Sequence, residues 1–200
     1  MLTEVVGLRK LVLIIALLVI GVSYSYYDSQ YGIQDVVGDT GFVQESVPVK
    51  EQHIINTSLL EEQVFLYVNL ERTGRGLEPL TLDDKVSDVA RLHSKDMADK
   101  SYFSHVDSEG ERHVHRLRKS GLLFYGISSE NIGMGRFPQY FDTPEKLGRE
   151  IVDVWMQSEG HKVNILNDKF IETGIGIVVS PDNRTYYFTQ IFLSNSPAIG

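Results

Sequence analysis

From Ser58 to Lys100 the apolar residues return at steps of three and four, the spacing of one helix face. Leu60, Val64, Tyr67 and Val68 make the first stripe, with Ser58 and Glu61 in a capping-box pattern ahead of it and Gly74 and Gly76 ending it. A second helix is predicted from about Thr81–Asp83 to Lys100, its inner face being Val86, Val89, Ala90, His93 and Met97. SYFSH then leaves as a loop, followed by the turn residues DSEG, and a short helix covers Arg112 to Ser120 until Gly121 stops it. SSENIGMG reads as a short strand or extended loop. Thr143-Pro144 opens the next helix, with proline at the first helical position and a stripe of Leu147, Ile151, Val154 and Trp155. The period then changes. GIGIVVS (Gly174 to Ser180) and TYYFTQIFL (Thr185 to Leu193) are β-rich, and Pro-Asp-Asn-Arg between them predicts a hairpin with a four-residue turn. Helices first and a terminal hairpin later give an α+β class, helices packed on a small antiparallel sheet.

The N-terminus follows another rule. Leu11 to Val22 is an uncharged apolar run of twelve residues behind Arg9 and Lys10. That length suits a signal-peptide core, with small residues at Ser23 and Ser25 placed for cleavage. Extension through Tyr24, Tyr26 and Tyr27 as an interfacial aromatic belt gives instead an uncleaved hydrophobic helix, a membrane anchor through residues 11–27. Both readings keep the N-terminus inside and export the rest, either to the extracellular face of the membrane as a single-pass protein or as a secreted one. The expected organisation is therefore 1–27 signal peptide or anchor, 28–57 tether, 58–193 globular domain and 194–200 tail.

Composition narrows the function. The chain has 42% hydrophobic and 23% charged residues, ordinary for a globular domain, and a formal charge of -8. That balance argues against nucleic acid, whose phosphates need clustered Lys and Arg; RHVHRLRK, from Arg112, is too short to reverse it. Without cysteine there is no disulfide, thiolate metal site or Cys nucleophile. The stretch WMQSEGHKVNIL reads as a last helical turn, a Gly160 stop and a His161 thrown clear past the helix end. YFSH, ending in His105, and SSENIG, carrying Glu130, are the segments expected to meet it in one open cleft.

Four stretches carry a resemblance: HSKDMADKSYFSH from His93, SENIGMG from Ser129, WMQSEGHKVNIL from Trp155, and GIGIVV followed by YYFTQIF. In this order, over about residues 58 to 193, they resemble a prokaryotic member of the CAP superfamily (cysteine-rich secretory proteins, antigen 5 and pathogenesis-related proteins). The resemblance implies an α-β-α sandwich with a central cleft, usually holding two His and two Glu that in some members bind a divalent metal. His105 matches the first His and Glu130 the first Glu. The second Glu is replaced by Ser158 and the second His by Tyr187, while His161 resembles the His of a prokaryotic SxGH variant and is expected to fill the space of the lost one.

Two imidazoles and a carboxylate, with a position left to water, form the ligand set of an open zinc site able to support hydrolysis. The plainer account has His105, Glu130 and His161 hydrogen-bonding to tie three loops together. Ser104 and Ser158 lie near a His in sequence, but no GxSxG elbow exists. His93 is expected as a satisfied core histidine, His113 and His115 as solvated surface, and Glu159 as a solvated helix end. Asn131 is expected to order the Glu130 loop. Tyr187 and Gln190 either line a groove or simply pack the sheet. Asn56 and Asn183 head glycosylation sequons. The leading expectation is an exported binding module for an envelope lipid, glycan or protein. A hydrolase dependent on zinc or another divalent metal is the alternative, and a structural cell-surface domain the third.

Overall fold

The structure, a computed structural model, describes residues 55–123, 126–137, 143–181, 183–194 and 198–199. The expected signal peptide or anchor and the tether as far as residue 54 lie outside the described residues. Among the described residues no helix is long and apolar enough to cross a membrane.

Helix α1 spans Thr57–Thr73, and its N-cap is Asn56, whose side chain accepts from the Leu59 amide. The Ser58–Glu61 capping box therefore does not form. Glu61 is buried instead, pairing with Arg91 and accepting the Ile177 amide. Strand β1 is Thr81–Leu82, and helix α2, Asp84–Lys100, begins at Asp83, which accepts the Val86 amide as N-cap. Helix α3 is His113–Lys119, stopped before Gly121 at φ +76°, and strand β2 is Leu122–Leu123. Strand β3 is Ser128–Gly135 and helix α4 is Pro144–Gln157, N-capped by Thr143. Within α4 the inward stripe is Leu147, Ile151, Val152 and Trp155; Val154 faces out. A further short helix, α5, runs Glu159–Ile165. Strands β4, Glu172–Val179, and β5, Tyr186–Leu193, form the expected hairpin. Strand β6, Ala198–Ile199, pairs with β2, so the expected tail contributes an edge of its own.

The main sheet has the order β1-β4-β5-β3, antiparallel except for the two-residue β1–β4 pairing. Successive side chains of a strand point to opposite faces, and β5 divides accordingly. Tyr186, Phe188 and Phe192 join a core with Val64 and Val68 of α1, Trp155 of α4 and Ile165 of α5. Ile191 and Leu193 pack with Val86, Val89 and Ala90 of α2 and with Leu117 of α3. Tyr187 closes a third cluster with Met97, Ala98 and Ile132. The result is an α-β-α sandwich. Its tightest seam is α2 on β4, where a Cβ at Gly174 or Gly176 would stand 2.3 or 2.0 Å from the α2 backbone. Only glycine permits that approach.

Candidate functional site

The site is built on β3, whose alternation deals its side chains to two layers. Ser128 and Glu130 turn toward α3: the Ser128 hydroxyl lies 3.0 Å from His113 Nε2, and Glu130 meets Arg116. Ser129 and Asn131 turn toward α5. Ser129 Oγ donates to Asn164 Oδ1 at 2.7 Å, Asn164 Nδ2 donates to Asn131 Oδ1 at 2.8 Å, and Asn131 Nδ2 donates to the His161 carbonyl at 3.2 Å.

Glu130 is the buried centre of the α3 side. Its side chain is 1% exposed, against 45% for His105, whose Nδ1 lies 2.8 Å from Oε1; Arg116 Nη2 takes Oε2. Burial works to raise the Glu130 carboxyl, but the His105 hydrogen bond and the Arg116 charge outweigh it and hold the group below its usual value. An ionised carboxylate only accepts, so Nδ1 of His105 carries the proton; in the neutral imidazole Nε2 is then the free lone pair.

The loop presenting His105 is pinned at several points. Ser101, at φ 54°, turns the chain out of α2. Tyr102 Oη and the Ser108 amide and hydroxyl all donate to Asp96. Burial opposes the Asp96 charge, yet the hydrogen bonds from Lys100, Tyr102 and Ser108 hold its carboxyl well below the usual range. His93 Nε2 donates to the Ser104 carbonyl at 3.0 Å, so Ser104 serves the backbone here. His93 is buried on α2, as its apolar helix face predicts, but it is only half satisfied, its Nδ1 having no hydrogen-bond partner.

His161 arrives differently from the expectation. Gly160 is no stop: α4 ends at Gln157, Ser158 is at once its C-cap and the N-cap of α5, and His161 sits inside α5. Its ring centroid lies 6.3 Å from that of Trp155, and its Nδ1 is buried without a partner. Burial first, and then the charge of His105, lower the His161 pKa. His161 is carried by the layer opposite to the one holding Glu130, on the α5 side of β3.

This geometry answers the metal question. Both oxygens of Glu130 are engaged, one by an imidazole N–H and one by a guanidinium whose positive charge would repel a cation placed beside it. Two imidazoles fall short of the three protein ligands of a catalytic zinc centre. Among the described residues no group of three or more His, Cys, Asp or Glu is placed to hold a metal ion. The expected centre of His105, Glu130 and His161 does not fit a metal.

The remaining candidates take structural places. Tyr187 is buried against α2, and Gln190, on the opposite face, donates to Thr173 Oγ1 at 3.1 Å; they pack the sheet. His113 is half-buried with its pKa lowered, chiefly by burial, which corrects the expectation of a solvated residue; His115 is exposed. Asn56 caps α1 and Asn183, at φ 56°, sits in the hairpin turn. Sequence reasoning missed Arg116 and Asn164. A signal for Arg116 existed: His113, Arg116 and Leu117 share one helical face inside the basic run. Asn164 carried none.

The sequence model of the cysteine-rich secretory protein family, CAP, matches residues 65–192. The uncharacterized protein YkwD of Bacillus subtilis strain 168 is 39% identical over 133 residues, 66% of this chain and 48% of that one. The uncharacterized membrane protein YlbC of the same organism is 33% identical over 133 residues, 66% of this chain and 34% of that one. The chain thus spans less than half the length of these relatives. Among solved structures, an extracellular protein containing a SCP domain from Bacillus anthracis superposes with TM-score 0.56 at 30% identity, covering 67% of this chain and 40% of that one. An outer surface protein of Borrelia burgdorferi shares the fold, with TM-score 0.57 at 18% identity, 68% of this chain and 93% of that one. The chain belongs to the cysteine-rich secretory protein (CAP) family, although it contains no cysteine.

Proposed function

We propose that this chain is an exported, envelope-associated CAP domain that works by binding, at the half-exposed His105 imidazole beside Glu130, rather than by catalysis. The observation that carries the reading is the commitment of Glu130 to Arg116 and His105. A carboxylate so held, with its pKa lowered, is a weak base whose two oxygens are both already in use as hydrogen-bond acceptors. What remains to a ligand is the outward edge of a half-exposed imidazole, a polar contact fixed in orientation by the proton on the other nitrogen. Export is supported by the charged-then-apolar N-terminus and by the kinship with an extracellular SCP-domain protein and a membrane protein. The ligand is an envelope lipid, glycan or protein, met outside the cell at the membrane surface or in the secreted state.

The test is to purify the full chain and its His105→Ala/His161→Ala variant from envelope extracts and compare what co-purifies. Lipid or glycan retained by the wild type and lost from the variant is the expected result. Turnover of a peptide or ester panel that depends on added zinc and on both histidines would overturn the reading.

A further inference from the structure

Helix α1 carries a second apolar stripe on the side turned away from the core. Its buried face includes Leu60, Val64, Val68 and Arg72; at about 100° per residue, Leu59, Leu66 and Leu70 fall on the opposite side, 47%, 47% and 50% exposed. Single exposed leucines are ordinary on a protein surface, but three in one line make a face that the described residues leave half open. Leu59, Gln63, Leu66, Leu70 and Thr73 succeed one another at alternating steps of four and three. That is the a/d spacing of a coiled-coil seam, with a polar residue at one a position.

The edges of this seam carry unlike charges. Helix α4 lies along one edge: a Cβ on Gly148 would stand 2.7 Å from the Gln63 Cβ, and the Arg149 guanidinium is 4.7 Å from the centre of the Tyr67 ring. The exposed Glu62 lies on the other edge. Among the described residues neither Glu62 nor Arg149 has an ion-pair partner. A two-fold axis parallel to α1 brings the Glu62 edge of one copy to the Arg149 edge of the other, whereas an antiparallel pairing sets like edges together. A lipid surface does not fit the stripe. Helices that lie on membranes carry Lys and Arg along the polar face, and the basic residue of α1, Arg72, is buried.

We propose that α1 is the seam of a parallel homodimer, in which Leu59, Leu66 and Leu70 of two copies pack together and the Glu62 and Arg149 edges pair across them. At 17 residues α1 is about 26 Å long and about 10 Å wide, so the seam alone falls below the ~1,200 Å² of a stable interface. The pair is therefore weak and concentration-dependent, and a covalent trap is the suitable readout.

The experiment exploits a chain without cysteine. Leu59→Cys, Leu66→Cys and Leu70→Cys are introduced singly into the full chain and oxidised with diamide, with Leu92→Cys, 62% exposed on α2, as the control. A disulfide forms only where two Cα atoms come within about 7 Å, which a parallel seam gives each of these positions with its own copy. Linked dimer is expected at all three, at least about tenfold above the control. Adding Leu66→Glu to Leu59→Cys should cut the yield about tenfold, the scale of losing one buried leucine. Glu62→Arg should weaken it as well, and Arg149→Glu in the same chain should restore it. Linkage at Leu66 alone, the mark of an antiparallel pair, would overturn the proposal. So would yields no higher than the control, the result were lipid or another segment to cover the stripe, a yield unmoved by Leu66→Glu, or a charge exchange that restores nothing.

Discussion

Glu130 concentrates more of the site's physics than any other side chain. A carboxylate almost wholly removed from water is tolerable only because a guanidinium and an imidazole share its charge. Removing one partner strands the other: Glu130→Ala is expected to lower unfolding free energy by about 3–5 kcal/mol in urea titration. The pH dependence follows from the lowered pKa. A carboxyl depressed on folding contributes stability that is complete above its unfolded value, near 4.5, and is lost as pH falls through the folded value. Glu130→Gln should therefore flatten the acid limb of a stability-against-pH profile below about pH 4.5. His93, His113 and His161 act in a higher window. Their pKa values are lowered on folding, so below 6.5 the unfolded chain binds protons that the native one refuses, and stability declines as pH drops. His113→Gln should shrink that decline. His105 and Glu130 were legible because the short motifs YFSH and SSENIG single them out, the first on a loop and the second on a strand. Arg116 was not, because a run of basic side chains reads as solvated until a tertiary partner picks one out.

At the scale of elements, β3 distributes contacts and the glycines of β4 set distances. Asn164→Ala would leave Asn131 Oδ1 buried without its donor, at about 1–3 kcal/mol, and loosen the tie that fixes the His161 backbone. The expected sign is a shifted His161 ring resonance with the His105 resonance in place. Gly176→Ala places a Cβ 2.0 Å from the Arg91 amide, backbone that cannot swing aside, so the loss should reach or exceed the upper end of the ~1–3 kcal/mol typical of overpacking. Thermal melts of both variants check these outcomes. Most elements could be read in the sequence: the α2 stripe, the proline-led start of α4 and the terminal hairpin all appear where periodicity puts them. The Gly160 stop failed for a physical reason. Glycine tolerates a left-handed cap but does not impose one, and from the extended backbone of Ser158 a new helix began instead, with Glu159 in its first turn favoured by the helix dipole. The capping box failed likewise, because Asn56 capped first and Glu61 found a buried partner in Arg91.

At the scale of the whole molecule, the sandwich brings an early loop and a late helix to the two sides of one strand. The sequence was expected to bring His105 and His161 together in one cleft with Glu130; instead they belong to different layers, since their places depend on which face of β3 each neighbour covers. The account stands on Glu130 being a committed anion rather than a ligand. The direct measurement is carboxyl ¹³C NMR of Glu130, with histidine ¹⁵N signals followed alongside, during a zinc titration near neutral pH. The prediction is an ionised Glu130 signal that stays fixed through one equivalent of zinc, with the His105 proton remaining on Nδ1. Stoichiometric saturation that shifts Glu130, His105 and His161 together would contradict it.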